Sequence, residues 1–243
     1  MLTVFCPFTR PWAVASFFAA LEASDVPRDR FVAYVDSEDA SLEAAVLNRA
    51  SGLFEVVETH LSGVAPPPER IHPRHRRKRQ AQMRTASQAC VGDDELLLLE
   101  DDTLIPADTF ARLSETRRDF DWVVGAEVGR WGTCNPVGAW RIAEESGGLR
   151  IASMMPSGAP VDRADATGLY CVLTSAAVYR EADFGAWDDR IGHDIHTTAR
   201  LTRAGRRLAV DWRVPCVHLT AHGTRLTMAD AKPHSWIAPA ECL

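Results

Sequence analysis

The chain of 243 residues has no apolar run approaching membrane-spanning length, no Cys-x-x-Cys pair and almost no lysine, and each shortage removes a class of protein. A helix that crosses a bilayer needs roughly 20 consecutive apolar residues, so integral membrane association is not expected. The start, Met1-Leu2-Thr3-Val4-Phe5-Cys6-Pro7, lacks the basic region and long apolar segment of a secretion signal and reads as a first strand. Cysteines at positions 6, 90, 134, 171, 216 and 242 are too scattered for a zinc knuckle. They read as small buried hydrophobes in a reducing, cytoplasmic setting. Lys78 and Lys232 are the only lysines, so arginine carries nearly all the positive charge, and in so alanine-rich a chain a single arginine is a weak signal.

Glycine-rich phosphate cradles are missing too. No G-x-G-x-x-G follows the first strand, and neither G-x-x-x-x-G-K-[ST] nor H-E-x-x-H occurs, which sets aside dinucleotide, P-loop and two-histidine zinc chemistry. Pro7-Phe8-Thr9-Arg10-Pro11 also lacks the glycine loop with which nucleotidylyltransferases wrap a triphosphate. There is no internal repeat and no low-complexity linker.

What is present is an ordinary globular composition, 46% hydrophobic with a formal net charge of −6, enough for one large α/β domain or two small ones. Strand signals at Leu2 to Cys6, Arg30 to Asp36 and Phe54 to Glu58 alternate with helical patterns over Trp12 to Leu21 and Ser41 to Arg49. A basic helix is expected from about Pro73 to Val91, and Trp122 to Ala126 continues the sheet. This alternation is the pattern of a βαβ sheet with helices on both faces. Glu144-Glu145-Ser146-Gly147-Gly148, flanked by Gly138 to Ile142 and Leu149 to Ser153, is a hairpin signature. Thr224 to Leu243 shows no clear secondary structure and reads as a lid or a packed terminus.

The most informative stretch is Leu96-Leu97-Leu98-Leu99-Glu100-Asp101-Asp102, where a strand buried on both faces runs into three acids. Clustered carboxylates repel unless a cation or a donor-rich ligand neutralises them. Oxygen-only clusters suit Mg²⁺ and Mn²⁺, which take one or two protein carboxylates plus phosphate oxygens, so the triplet points to a bound diphosphate. The alternative is a solvated acidic turn, with Asp102 or Thr103 preparing a helix N-terminus. For a bound nucleotide, Thr9 and Arg10 are candidate contacts, and Asp36 is a candidate acceptor from ribose hydroxyls or base nitrogens. The plainer reading makes Arg10 a surface charge and Asp36 a turn or cap residue. Gly192-His193-Asp194 opens a helical pattern with Ile195 and Ala199 inward and Gly205 as its stop. Asp194 therefore falls in the first turn, where it either caps the helix or faces a cleft as a general base.

The order of these parts resembles the GT-A glycosyltransferases, and most closely their large inverting family-2-like group. The resemblance runs from Leu2 to about His222. It rests on Glu100-Asp101-Asp102, then Ala166-Thr167-Gly168-Leu169-Tyr170-Cys171, then Gly192-His193-Asp194 with a helix ending at Ala204-Gly205, then Val210 to His218. It implies an α/β GT-A fold with a mixed, mostly parallel sheet and helices on both faces. The single domain would comprise a nucleotide-binding half over 1–105, an acceptor-binding half over 106–223 and a tail over 224–243. It implies Asp102 as the aspartate that binds Mn²⁺ or Mg²⁺ on the donor diphosphate, with Glu100 and Asp101 beside it and Arg84 on the donor side. Gly168 lies near sugar and acceptor, and Asp194 is the base. His218 matches a histidine that ligates the metal in some members, with His222 as its competitor. His193 stands where the family has glutamate. The implied reaction transfers a sugar from a nucleotide-sugar, a UDP-sugar, to an acceptor hydroxyl with inversion.

Arg70, Arg74, Arg76, Arg77, Lys78, Arg79 and Arg84 crowd one segment with His72 and His75. A basic stripe on an acidic protein points to a polyanion, while a solvated helix face is the plainer reading. Beside a sugar-transfer site the sharper expectation is an acceptor DNA carrying a hydroxymethylated pyrimidine, as in small phage-type glycosyltransferases. Arg74, Arg76, Arg77, Lys78 and Arg79 would then lie on phosphates. Saccharide, lipid-linked and protein acceptors stay open, as does a non-catalytic nucleic-acid-binding module.

Overall fold

The computed structural model describes residues 1–38, 40–63, 73–129, 134–185 and 190–242, without the side chains of 73–77. Strand and helix alternate through the first half: β1 (Leu2–Phe8), α1 (Val14–Glu22), β2 (Arg30–Val35), α2 (Ala40–Ala50), β3 (Val56–Leu61), α3 (Pro73–Ser87) and β4 (Glu95–Leu99). Each connection returns the chain in the same direction, so these strands pair in parallel in the order β3-β2-β1-β4. The second half supplies β5 (Thr103–Leu104), α4 (Thr109–Arg117), β6 (Trp122–Ala126), β7 (Ala139–Glu145), β8 (Gly148–Ser153), β9 (Val161–Ala164), β10 (Ala166–Thr167) and β11 (Cys171–Ser175). After them come α5 (Ala176–Glu181), α6 (His193–Arg203), β12 (Leu208–Pro215), β13 (Val217–Leu219), β14 (Arg225–Leu226) and β15 (Ser235–Ala238).

β11 enters antiparallel between β4 and β6, β12 pairs parallel with β6, and β9 closes the edge, giving an eight-stranded mixed sheet. β4 sits near its middle, and its leucines divide as a doubly covered strand requires. Leu97 and Leu99 pack with Phe17 of α1 and Leu113 of α4, while Leu96 and Leu98 join Tyr179 of α5 and Leu201 of α6 on the opposite face. Two smaller sheets have the strand orders β10-β7-β8-β15 and β14-β13-β5. No helix among the described residues is long and apolar enough to cross a membrane.

The expected α/β architecture is thus the observed one, with local differences. β3 starts two residues later than the apolar pattern suggests, because Phe54 leaves the strand register and packs its ring 5.0 Å from Phe31. The first helix opens with a 3-10 turn over Pro11–Ala13, and the basic helix stops at Ser87, whose hydroxyl lies 2.7 Å from that of Tyr179. The tail is not structureless. β15 adds an antiparallel edge strand to β8, with Trp236 opposite Ile151.

Candidate active site

Residues from the carboxyl ends of β1, β4 and β6 meet the N-terminus of α6 and β13 around a cleft of about 240 Å³, lined by Arg10, Glu100, Glu127, Gly168, Asp194 and His218 among others. Ligands of open α/β sheets lie at this end of the strands. Beyond Leu99 the three acids diverge. Glu100 accepts a 2.6 Å hydrogen bond from Nη2 of Arg84, a guanidinium buried beneath α3. Burial alone pushes the Glu100 carboxyl up, but Arg84 and then Arg10 hold it below the ordinary glutamate value.

Asp101 turns back under β1. Its Oδ2 accepts from the backbone N–H groups of Thr9 at 2.7 Å and Arg10 at 2.8 Å, and its Oδ1 pairs with the Arg10 guanidinium. Asp101, expected beside the donor, is engaged by the protein itself. The side chain is fully buried with both oxygens engaged by the loop after β1, so it fixes Thr9 and Arg10 in place.

Asp102 is also buried, yet only one of its oxygens is engaged. Oδ2 lies 3.1 Å from Arg10 Nε and 3.7 Å from His218 Nε2, whereas Oδ1 has no hydrogen-bond partner. Burial, reinforced by Asp101 and Glu100 against the pull of Arg10, pushes the Asp102 carboxyl up to about 7. His218 reaches it because β13 pairs with β5, setting His218 opposite Thr103. An irregularity in β12 between Asp211 and Pro215 precedes β13. His218 Nδ1 donates to Oε1 of Glu127 at 3.0 Å, and Thr103 Oγ1 donates to Oε2 of the same carboxylate at 2.6 Å. Burial alone would lower the His218 imidazole, but the Glu127 hydrogen bond and the Asp102 charge raise it to about 9. His222 is exposed on the turn after β13, away from this cluster.

Asp194 occupies the first turn of α6, half-buried on the cleft wall, and no hydrogen bond from the described residues holds its carboxylate. Gly192 makes room for it, since a Cβ there would lie 2.6 Å from Asp194 Oδ1. Gly168 and Gly138 are demanded by Tyr170, whose Cε1 would sit 2.5 and 2.3 Å from a Cβ at each. His193 lines the same cleft.

Asp36, at the end of β2, is buried and paired with the Arg79 guanidinium, and Arg79 Nε donates to its Oδ2 at 3.2 Å. Arg79 and Arg84 are therefore directed into the protein rather than lying free on the basic stripe. Lys78 is exposed. The side chains of Arg74, His75, Arg76 and Arg77, together with Arg70 and His72, lie outside the described residues. The structure thus brings together Arg10, Glu100, Asp102, Gly168, Asp194 and His218, and adds Glu127, which sequence reasoning missed. Its signal was the one used for β4: an acid directly after a wholly apolar strand, here Trp122–Ala126.

No protein-family model and no curated protein matches the chain. Solved structures do. A197 from STIV is similar at 11% identity with a TM-score of 0.51, over 98% of this chain and 95% of that one. GalNAc-T7, crystallised with UDP, GalNAc and Mn²⁺, is similar at 12% identity with a TM-score of 0.61, over 90% of this chain and 44% of that one. TarS of S. aureus is similar at 11% identity with a TM-score of 0.54, over 87% of this chain and 35% of that one. The chain thus spans nearly all of A197 but under half of the other two. GalNAc-T7 and TarS are glycosyltransferases, and the shared architecture is the GT-A fold.

Proposed function

We propose that the chain is a metal-dependent glycosyltransferase that moves a sugar from a nucleotide-sugar, a UDP-sugar, to an acceptor hydroxyl with inversion. The observation that carries the reading is Asp102: a buried carboxylate with one unpartnered oxygen, facing His218 Nε2 beside a cleft that also holds Asp194. The donor set fits a divalent cation. Among the described residues no three His, Cys, Asp or Glu side chains form a closed cage, and Mg²⁺ and Mn²⁺ take few protein ligands when phosphate oxygens complete the shell. Asp102 and His218 would hold Mn²⁺ or Mg²⁺, which when bound supplies charge stabilisation for the departing diphosphate. The UDP and Mn²⁺ in the GalNAc-T7 structure support the same ligands here.

Arg10, fixed by Asp101, sets the loop with Thr9 that contacts the donor. Asp36 and Arg84, at the ends of β2 and α3, flank its nucleoside, and Glu100, oriented by Arg84, faces it from β4. Asp194 accepts the proton of the acceptor hydroxyl as that oxygen bonds to the anomeric carbon and the bond from carbon to diphosphate oxygen breaks on the opposite face. Gly168 leaves space beside the transferred sugar.

For the acceptor, α3 is informative. Gln80 lines the cleft, and the helix continues from it toward Lys78, Arg77, Arg76 and Arg74, about 9 Å of helix axis at 1.5 Å per residue. A helix with this run of basic residues in its sequence suits DNA bearing a hydroxymethylated pyrimidine, with Arg79 removed from the contact set by its pairing to Asp36. The test is a thermal-shift screen of nucleotide sugars with and without Mn²⁺. A shift for one diphosphate sugar that requires Mn²⁺ and vanishes in Asp102→Ala is expected. No shift with any donor would overturn the reading. Glycosylation of hydroxymethylated DNA, with DNA binding that weakens steeply with salt, tests the acceptor. Retained DNA affinity without donor turnover would favour a binding module instead.

A further inference from the structure

We propose that Glu127 is a positioning residue that holds His218 with Nε2 presented to a divalent ion at Asp102. The inference rests on the reading of Asp102 and His218 as metal ligands. An imidazole that ligates through one nitrogen keeps a proton on the other, and a carboxylate accepting that proton fixes both the tautomer and the ring plane. Glu127 Oε1 accepts from Nδ1 at 3.0 Å, which leaves Nε2 as the nitrogen turned toward Asp102. Glu127 is itself pinned, because Thr103, the residue after Asp102, donates to its Oε2 at 2.6 Å. One hydrogen-bonded chain therefore ties β5, which begins directly after Asp102, to β13, which carries His218.

The other buried acids sharpen the point. Asp36, Asp101 and Asp211 each face an arginine, Arg79, Arg10 and Arg213 respectively. Glu127 is as buried as they are, yet its partners are a histidine and a threonine. Burying a carboxylate without a permanent cation is costly, and simple packing would be served by a neutral side chain. Glu127 is not itself a ligand in this arrangement, since both of its oxygens are engaged.

The experiment measures Mn²⁺ affinity of the full chain, with Mn²⁺ alone as the probe and free ion read by electron paramagnetic resonance. Glu127→Gln keeps the shape and an acceptor but removes the charge. It is expected to weaken Mn²⁺ binding by about 10–100-fold, the usual effect of losing such a support, while circular dichroism in EDTA shows the wild-type fold. In a His218→Ala background the same change should cost nothing further, because Glu127 acts through that ring. Thr103→Ala, the variant to use if Glu127→Gln does not fold, should give a smaller loss that His218→Ala also absorbs. Wild-type affinity in Glu127→Gln, or a loss that adds in full to that of His218→Ala, would overturn the inference while leaving the metal site standing. Absence of Mn²⁺ binding by the wild-type chain would overturn both.

Discussion

Gly192→Ala separates catalysis from folding at a single atom. A Cβ at this position would lie 2.6 Å from Asp194 Oδ1, against roughly 3.4 Å for ordinary contact, so the carboxylate must retreat by about 0.8 Å. The retreat is cheap for the fold: the atom that moves ends a short side chain on a cleft wall, and the backbone at φ −33° lies outside the left-handed region that favours glycine. A stability change within about 1 kcal/mol is expected. For proton transfer the same movement matters. Displacing a reacting group by about 1 Å costs up to ~100-fold in rate, or ~2.7 kcal/mol of barrier. The assay is steady-state release of UDP from a UDP-sugar at saturating Mn²⁺ and acceptor, beside a thermal melt. The kcat should fall about 10–100-fold with KM for the donor and Tm nearly unchanged. In Asp194→Ala, which alone should cost about 10²–10⁴-fold, the added methyl should do nothing more. A wild-type kcat in Gly192→Ala, or an equal further loss in the Asp194→Ala background, would refute the assignment of Asp194 as base.

Gly168→Ala should behave oppositely, because its Cβ would meet the ring of the buried Tyr170 at 2.5 Å and the ring has nowhere to go. A loss of about 1–3 kcal/mol in urea unfolding is expected, and an unchanged midpoint would show that the loop after β10 yields. Asp101→Ala strands the Thr9 and Arg10 amides and the Arg10 guanidinium, so about 3–5 kcal/mol should be lost. A milder loss, under about 1 kcal/mol, would mean that the loop does not depend on it. The metal-free protein should also lose stability with alkali. With His218 raised from 6.5 to about 9, its contribution is fully present below pH 6.5 and is lost as pH rises through about 9. Thermal melts in EDTA from pH 6 to 10 should show this fall in wild type and not in His218→Gln.

The elements legible in the sequence are those whose determinants are local. Four leucines bounded by acids identify β4 because a doubly buried strand needs no partner to be recognised, and Gly192 and Gly205 bracket α6 at both ends, with Gly205 at φ +90°. What escaped depends on residues far apart in sequence. β15 is a strand because β8 offers it an open edge. Phe54 is a core residue rather than a strand residue because Phe31 receives its ring. Arg79 and Arg84 read as part of one basic stripe, and only the positions of Asp36 and Glu100 show that both are turned inward. Glu127 is marked locally as an acid after an apolar strand, but its partners are set only when β5 and β13 pair.

The acid triplet makes the same point in electrostatic terms. Successive residues leave a strand toward opposite faces, so adjacency in sequence does not mean a shared ligand. Glu100 goes to Arg84 and Asp101 to Arg10 and the β1 loop, each acquiring a cation from the protein itself. Asp102 shares Arg10 with a stronger claimant, meets His218 only at 3.7 Å and keeps one oxygen without any donor. Its raised pKa is the expression of that shortfall. Under the proposed function a diphosphate approaching this wall brings more negative charge, which a cation between it and Asp102 would offset. Of the three acids, Asp102 alone combines a buried unpartnered oxygen with a raised pKa, and that combination is why the proposed cation is assigned to it.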